Sequence, residues 1–443
     1  MAQLHLVSPK HIKIAIIIYW TADHRARKSG AIMNAITFAS QTQSDPAITT
    51  PVRTAWRISL ALFLAGFATF SLLYCVQPLL PVFAQHFAVS PAASSLSLSL
   101  ATGFLAFSIV CAAVLSEGLG RRGLMFGSMA LAAGLNIAAA CAPSWDLLLA
   151  ARAFEGFALG GVPAVAMAYL AEEIPPDRLG VSMGIYVAGT AFGGMMGRVG
   201  TGILADHVSW RIALAAVGLA GLLAAAGFIV LAPRSQKFVR RPGFDPRYHA
   251  QAWFRHLRHP ALPFLFAIGF LAMGAFVTIY NYAGFRLMAP PYRLDQTELG
   301  LIFAVYVFGI AASSLAGVLA DRIGRAKTLL AGIILTALGA ALTADENLAV
   351  LILGIVILTI GFFTTHAVAS GWVGRLATHT KGHASSLYLL AYYLGSSLAG
   401  SAGGWFWTKG GWNSVVLFTL ALLALAFAAA LRIAAATRTS MSP

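Results

Sequence analysis

The sequence predicts an all-α membrane protein in which twelve transmembrane helices form two pseudo-symmetric six-helix bundles. Three observations predict it: a composition too apolar for water, apolar stretches of membrane-crossing length that recur twelve times, and an internal repeat. Of 443 residues, 59% are hydrophobic and 10% charged, with a mean hydropathy of +0.78. Soluble domains carry about 25% charged residues. A crossing helix needs about 20 apolar residues to traverse about 30 Å of hydrocarbon. Such stretches fall at 58–82, 92–116, 122–142, 145–170, 179–204, 211–231, 261–287, 297–320, 327–343, 347–373, 384–407 and 412–432, spans one to twelve.

The domains follow from these spans. Residues 1–55 stand apart: their apolar piece, Ile12 to Trp20, is too short to cross a bilayer and lacks the small-residue cleavage site of a secretory signal. They are expected to form a disordered cytoplasmic extension, with Met33 as an alternative start. The first bundle occupies 56–231, the second 261–435, and a short cytoplasmic tail 436–443. Between the bundles, 232–260 begins with Pro233, Arg240, Arg241, Pro242, Gly243 and Pro246 and ends with Trp253-Phe254-Arg255-His256-Leu257-Arg258. Two readings stay open for this basic linker: an amphipathic segment lying on anionic lipid, or a solvated connection.

A net charge of +15 could suggest nucleic acid, but the placement of the charge argues against it. Beyond residue 50, nineteen Lys and Arg fall at the chain ends and in loops after even-numbered spans, against four (Arg211, Arg286, Arg293 and Lys409) on the opposite side. Basic loops on one membrane face are the ordinary orientation signal, and they place both termini in the cytoplasm. Cys75, Cys111 and Cys141 make no disulfide framework. His249, His256, His259, His379 and His383 fit no rigid ligand pattern, so no metal is expected. The sequence has no Walker loop, zincin motif or Gly-x-Ser-x-Gly elbow, which leaves ATP-driven transport and hydrolysis without support.

The repeat is visible by self-comparison. An offset of 202 pairs Gly180 with Gly382, Tyr186 with Tyr388, Gly193 with Gly395, Gly202 with Gly404 and Trp210 with Trp412. An offset of 204 pairs Glu117 with Asp321, Gly120 with Gly324 and Arg121 with Arg325. Duplicated six-helix units with a site between them are a recurring transporter plan.

After span eight the chain reads Gly317-Val318-Leu319-Ala320-Asp321-Arg322-Ile323-Gly324-Arg325. This resembles the loop signature of the major facilitator superfamily, Gly-x-Leu-Ala-Asp-Arg-x-Gly-Arg. Physically, a carboxylate at a helix end can latch onto arginines and a neighbouring helix N-terminus. The first-half copy has Glu117 for the aspartate and Gly118 for the following arginine, before Gly120 and Arg121, so its latch is expected to be looser or differently paired. Span four carries Arg152-x-x-Glu155-Gly156, similar to the superfamily's Arg-x-x-x-Gly motif, and a three-residue spacing puts both charges on one helix face. Either a structural pair or a role in coupling fits them.

Span five is glycine-rich, and four-residue spacings let helices approach closely. It resembles the antiporter-branch motif Gly-x8-Gly-x3-Gly-Pro-x2-Gly-Gly at Gly180, Gly189, Gly193 and Gly197, with Gly194 in place of the proline and Arg198 in place of the last glycine. Together with Tyr388, Tyr392, Tyr393 and Gly395 in span eleven, it is similar to the bacterial YnfM-type permeases within the drug:proton antiporter-like branch.

The resemblance implies a major facilitator fold whose spans one, four, seven and ten line the substrate path, making Tyr74, Gln77, Tyr280, Asn281 and His366 candidates for substrate or proton contact. Each is also explained by packing. Arg152 and Arg198 lie at similar depth, about 10 Å inside the boundary at 1.5 Å per residue. Adjacent spans can therefore bring them together with Glu155 in a net positive cluster that should attract anions. Arg152 and Glu155 are then expected to couple proton movement to alternation, with Arg198 binding or steering a substrate's negative group. The expected function is proton-coupled efflux of a small organic compound by alternating access. Proton-coupled uptake of a metabolite is the alternative, and a transporter-like sensor or an intramembrane enzyme is a remote one. The expected partners are a small substrate, protons and the bilayer. A monomer is expected in the inner membrane, without a cofactor and with the proton gradient as energy source.

Overall fold

The computed structural model describes residues 52–235, 246–378 and 380–439, apart from the side chains of 113, 114, 117–119, 246 and 436–439. The expected tail before residue 52 and His379 lie outside the described residues, as does the side chain of Glu117. What is described is helical. Ten helices among the described residues are long and apolar enough to cross a membrane. Two features reconcile ten with twelve.

Span four is interrupted. It runs as Trp145–Leu159, turns through 160–165, and resumes as Ala166–Glu173, so neither piece is long enough alone. The turn contains Gly160, Gly161 and Pro163; proline has no N–H for the helix ladder, and a β-carbon at either glycine would collide with Ser108 or Ser128 of spans two and three. Spans eleven and twelve form the second feature, one helix Lys381–Thr439 parted at Gly410 and Gly411. Gly411 has φ +60°, where a side chain would be strained.

The other spans are Val52–Tyr74 (one), Pro91–Leu119 (two), Arg121–Ala140 (three), Pro176–His207 (five), Trp210–Leu231 (six), Leu262–Met288 (seven), Arg325–Leu342 (nine) and Leu348–Leu376 (ten). Span one starts inside the segment expected to be tail. It continues past Tyr74 through a 3-10 turn, Gln77–Leu79, into Leu80–His86. Span eight is assembled likewise from Gln296–Ile302, a 3-10 turn Phe303–Val305, and Tyr306–Ile323.

The repeat is visible in the backbone. Gly120 (φ +86°, ψ 138°) joins spans two and three, and Gly324 (φ +96°, ψ 144°) joins eight and nine. Both turns need the left-handed freedom of glycine. Span one packs on span five where Gly189 and Gly193 meet the Phe63 and Phe67 carbonyls, and where a β-carbon on Gly197 would lie 2.6 Å from the Ser71 α-carbon. In the second half, Gly395 of span eleven meets the Phe270 carbonyl of span seven. These contacts realise the close approach predicted for the glycines.

The halves join along span five with span eight and span two with span eleven. Near the loops that follow odd-numbered spans, Gly202 abuts Gln296 and Gly300, and Gly404 abuts Ala92. Thr297 Oγ1 donates to Asp206 Oδ2 at 2.7 Å, and Ser397 Oγ donates to the Ser99 carbonyl at 2.7 Å.

In the linker, a helix Pro246–Leu257 sits on the start of span eleven. His249 Nδ1 lies 2.8 Å from His383 Nε2, and His256 Nε2 lies 2.9 Å from Thr380 Oγ1. Phe254, Arg255, Leu257 and Arg258 stay exposed. One face of this helix thus binds protein and the other remains open. His259 Nδ1 accepts the N–H groups of Ala261 (3.1 Å) and Leu262 (3.3 Å), satisfying donors at the start of span seven.

Candidate functional site

Two arginines organise the interior, and they do different things. Arg152 and Glu155 stand one turn apart on span four, with Nη1 to Oε2 at 2.6 Å and both side chains fully buried. The end of the first helix at Tyr74 leaves its last carbonyls without helical donors. Arg152 takes two of them, Leu72 at 3.1 Å and Leu73 at 2.7 Å. It also donates to Ser97 O (3.1 Å) and Asn136 Oδ1 (3.2 Å), while Asn136 Nδ2 donates to Leu214 O at 2.7 Å. This one guanidinium ties span four to spans one, two and three, and Asn136 extends the network to span six. Glu155 Oε1 is buried without a hydrogen-bond partner.

Arg198, on span five, is 2% exposed. Its Nε donates to Gln77 Oε1 and its Nη1 to the Gly194 carbonyl, each at 2.6 Å. The guanidinium lies 4.1 Å from the Tyr74 ring, 4.8 Å from Tyr306 and 5.2 Å from Phe303. Gln77 Nε2 in turn donates to Asn281 Oδ1 of span seven at 2.8 Å. Tyr280 hydrogen-bonds Thr359 of span ten at 2.7 Å.

The expected three-membered cluster is therefore corrected. Arg152 and Glu155 pair, but Arg198 has no carboxylate within ion-pair distance among the described residues. The reason is the end of span one: Arg152 binds carbonyls of Leu72 and Leu73, whereas Arg198 packs on Tyr74 and bonds Gln77. Matching depth did not reveal that the two arginines face different neighbours.

His366 is half-buried, its Nδ1 3.0 Å from the Tyr388 hydroxyl and its ring 4.7 Å from Tyr392. An aromatic wall connects it to Arg198 through Phe362, Phe276 (3.9 Å from Phe362) and Tyr306. Phe303 and Tyr306 were not singled out from sequence, because an aromatic in a span is indistinguishable from packing until its neighbour is known.

The loop latches differ between halves. Asp321 Oδ1 lies 3.0 Å from Arg325 and 3.9 Å from Arg375 at the end of span ten, and Asp321 and Arg322 are exposed. In the first half, Arg121 grips Glu172 at the end of span four with two bonds of 2.7 and 2.6 Å, and donates to Ser116 at 3.1 Å. The copies use different loop positions: Arg121, the counterpart of Arg325, bonds the end of span four, whereas Asp321, the counterpart of Glu117, contacts the end of span ten. Glu172 was missed; the signal was the substitution of Gly118 for arginine in the first loop, which implied another pairing.

The Major Facilitator Superfamily model matches residues 62–292 and 271–442. The inner membrane transport protein YnfM of Escherichia coli (strain K12) is 43% identical over 84% of this chain and 88% of its own length. An uncharacterized MFS-type transporter, YybF, of Bacillus subtilis (strain 168) is 44% identical over 83% and 91%. Among solved structures, a bacterial homologue of the human lysosomal transporter Spinster, inward-facing and unoccupied, aligns with a TM-score of 0.67. It covers 87% of this chain and 98% of that one, at 16% identity, so it speaks for the fold alone. With the duplicated bundles, the repeated glycine turns and matches of this extent, the chain belongs to the major facilitator superfamily and is a multi-pass membrane transporter.

Proposed function

We propose that the protein couples efflux of a small organic compound to proton influx, by alternating access. The observation that carries this reading is Glu155, a fully buried carboxylate with one oxygen held by Arg152 and the other without a partner. A carboxylate in that position can hold a proton on Oε1 while Oε2 keeps its contact, and intramembrane ionisable groups commonly serve relays. Efflux is supported by the contact of span one on the glycine face of span five, at the positions where span five resembles the antiporter motif. The basic-residue bias supports an inner-membrane protein with both termini cytoplasmic. It is read as a monomer without a cofactor.

One observation favours uptake instead: Gly194 and Arg198 replace the proline and last glycine of that motif. Everted membrane vesicles with an acid lumen separate the directions. An antiported compound added outside collapses the gradient in vesicles carrying the protein, whereas a symported one does not. Glu155→Gln vesicles should show no collapse at matched protein level. Collapse that persists in that variant would remove Glu155 from the coupling reaction.

A further inference from the structure

We propose that Arg198 is the anion-recognising end of the substrate site and that the protein takes aromatic monocarboxylates. The inference rests on the transporter reading but not on its direction or coupling. It starts from charge balance. The described charged side chains that are buried in the membrane core are Arg152, Glu155 and Arg198. The first two neutralise each other; Arg198 does not share their ion pair. A guanidinium cannot shed its proton, and an uncompensated charge away from water is costly. Arg198 is surrounded by neutral groups: the Gln77 amide, the Gly194 carbonyl and the rings of Tyr74, Phe303 and Tyr306. What the site lacks is an anion.

The second observation lies at the other end of the Gln77 bridge. Arg198 offers only donors, so Gln77 must present Oε1 to it and Nε2 to Asn281, which must answer with Oδ1. Arg198 thereby sets both amides, and Asn281 Nδ2 is left as a buried donor with no acceptor. Asn281 is 1% exposed. A guanidinium without a counter-ion and an amide donor without an acceptor stand at the two ends of one bridge. A carboxylate supplies both missing functions.

The surroundings narrow the ligand further. From Tyr306 the wall continues through Phe276 and Phe362, stacked at 3.9 Å, to half-buried His366. Aromatic faces suit a flat apolar body. A single uncompensated charge suits a monoanion, since a dianion would reverse the imbalance. Ligand binding would also compete with Gln77 for Arg198 and so loosen the Gln77–Asn281 link between the halves. Recognition and release of that link are then one event.

The test uses purified full-length protein without any gradient, titrated with benzoate and 1-naphthoate, their neutral carboxamides, and benzamidine, followed by thermal stabilisation. The carboxylates should bind at least about tenfold more tightly than their amides, a difference of about 1.4 kcal/mol, and benzamidine should not bind. Arg198→Gln should abolish the preference, and Arg198→Lys should keep part of it if the first variant folds poorly. Equal binding of acid and amide, binding of benzamidine, no binding by any member of the series, or stabilisation reproduced by chloride alone would overturn the proposal. Because no gradient is present, failure here leaves the coupling reading standing. Failure of the vesicle assay likewise leaves this one.

Discussion

Gln77 and Asn281 occupy equivalent positions of the two repeats, 204 residues apart, and hydrogen-bond to each other at 2.8 Å. The same offset relates Gly120 to Gly324 and Glu117 to Asp321. A contact between symmetry mates straddles the pseudo-twofold axis, so this bond sits where the halves must move relative to one another. The 3-10 turn Gln77–Leu79 directs the buried Gln77 amide there, because it ends the straight course of span one.

The first prediction is that the two residues act as a unit. Gln77→Ala and Asn281→Ala should each reduce transport, while the double variant should lose less than the sum. The expected coupling is about 1 kcal/mol, or about fivefold, as for one buried hydrogen bond. Strict additivity in a double-mutant cycle would show that the link contributes nothing to turnover.

Arg152 predicts a stability effect. Arg152→Ala leaves Glu155 buried without its cation and several backbone carbonyls without donors, at a cost of about 3–5 kcal/mol. Arg152→Lys should rescue little, because a lysine ammonium cannot reproduce a planar fork that reaches four spans. Thermal unfolding of the purified variants checks both. A lysine variant as stable as the parent would reduce Arg152 to a counter-charge.

Much of this was legible in the sequence because its signals are local. Apolar length gave the spans, and glycines at fixed offsets gave both the repeat and the close contacts of Gly189, Gly193, Gly197 and Gly395. The pairing of Arg152 with Glu155 followed from helical spacing. What spacing could not give was direction across the bundle. Arg198 shares its depth with Arg152 but faces Tyr74, Gln77 and span eight, and only tertiary packing decides which neighbour a residue of span five meets. Likewise, Glu172 joins Arg121 from 51 residues away, which no single-loop motif encodes.

Glycine substitutions should divide sharply. A β-carbon at Gly193 or Gly395 collides with the Phe67 or Phe270 carbonyl, both backbone atoms that cannot swing aside. Gly193→Ala and Gly395→Ala should reduce folded yield or block movement. Gly180→Ala meets nothing within 4 Å and should be neutral or stabilising by up to about 1 kcal/mol. Folded yield by fluorescence-detected size exclusion separates the classes, and an impaired Gly180→Ala would refute the steric account.

His259 predicts a pH effect outside the membrane. Burial, and then nearby His256, hold its pKa below the ordinary 6.5. The neutral ring is the form whose Nδ1 can accept from Ala261 and Leu262. A base with a lowered folded-state pKa binds more protons when unfolded, so its contribution is full above about 6.5 and is lost as pH falls below that value. Asparagine can cap without titrating. From about pH 7.5 to about pH 5, His259→Asn should lose less thermal stability than the parent. His249 and His383 are present in both proteins, and His256→Gln carried in both removes the neighbour that acts on His259. Parallel curves would sink the assignment.

The differently paired latches yield the last prediction. Arg121 and Glu172 hold the start of span three to the end of span four with two short bonds, and both are largely shielded from solvent. In the second half the contact comes instead from the end of span eight, Asp321 to Arg375 at 3.9 Å, both widely exposed. Exposed pairs contribute little, about 0–1 kcal/mol, whereas a bidentate, partly buried pair contributes more. Glu172→Gln should therefore impair transport more than Asp321→Asn does when the protein rests in the conformation described here. Exchanging the first pair, Arg121→Glu with Glu172→Arg, should recover part of what Arg121→Glu alone loses, because attraction survives while the Ser116 contact does not. Transport at matched protein level measures all four variants. If the exchanged pair recovers nothing, the bridge acts through its geometry rather than its charge. If Asp321→Asn proves the more damaging, Asp321 must find a stronger partner in another state of the cycle than Arg325 and Arg375 provide in this one.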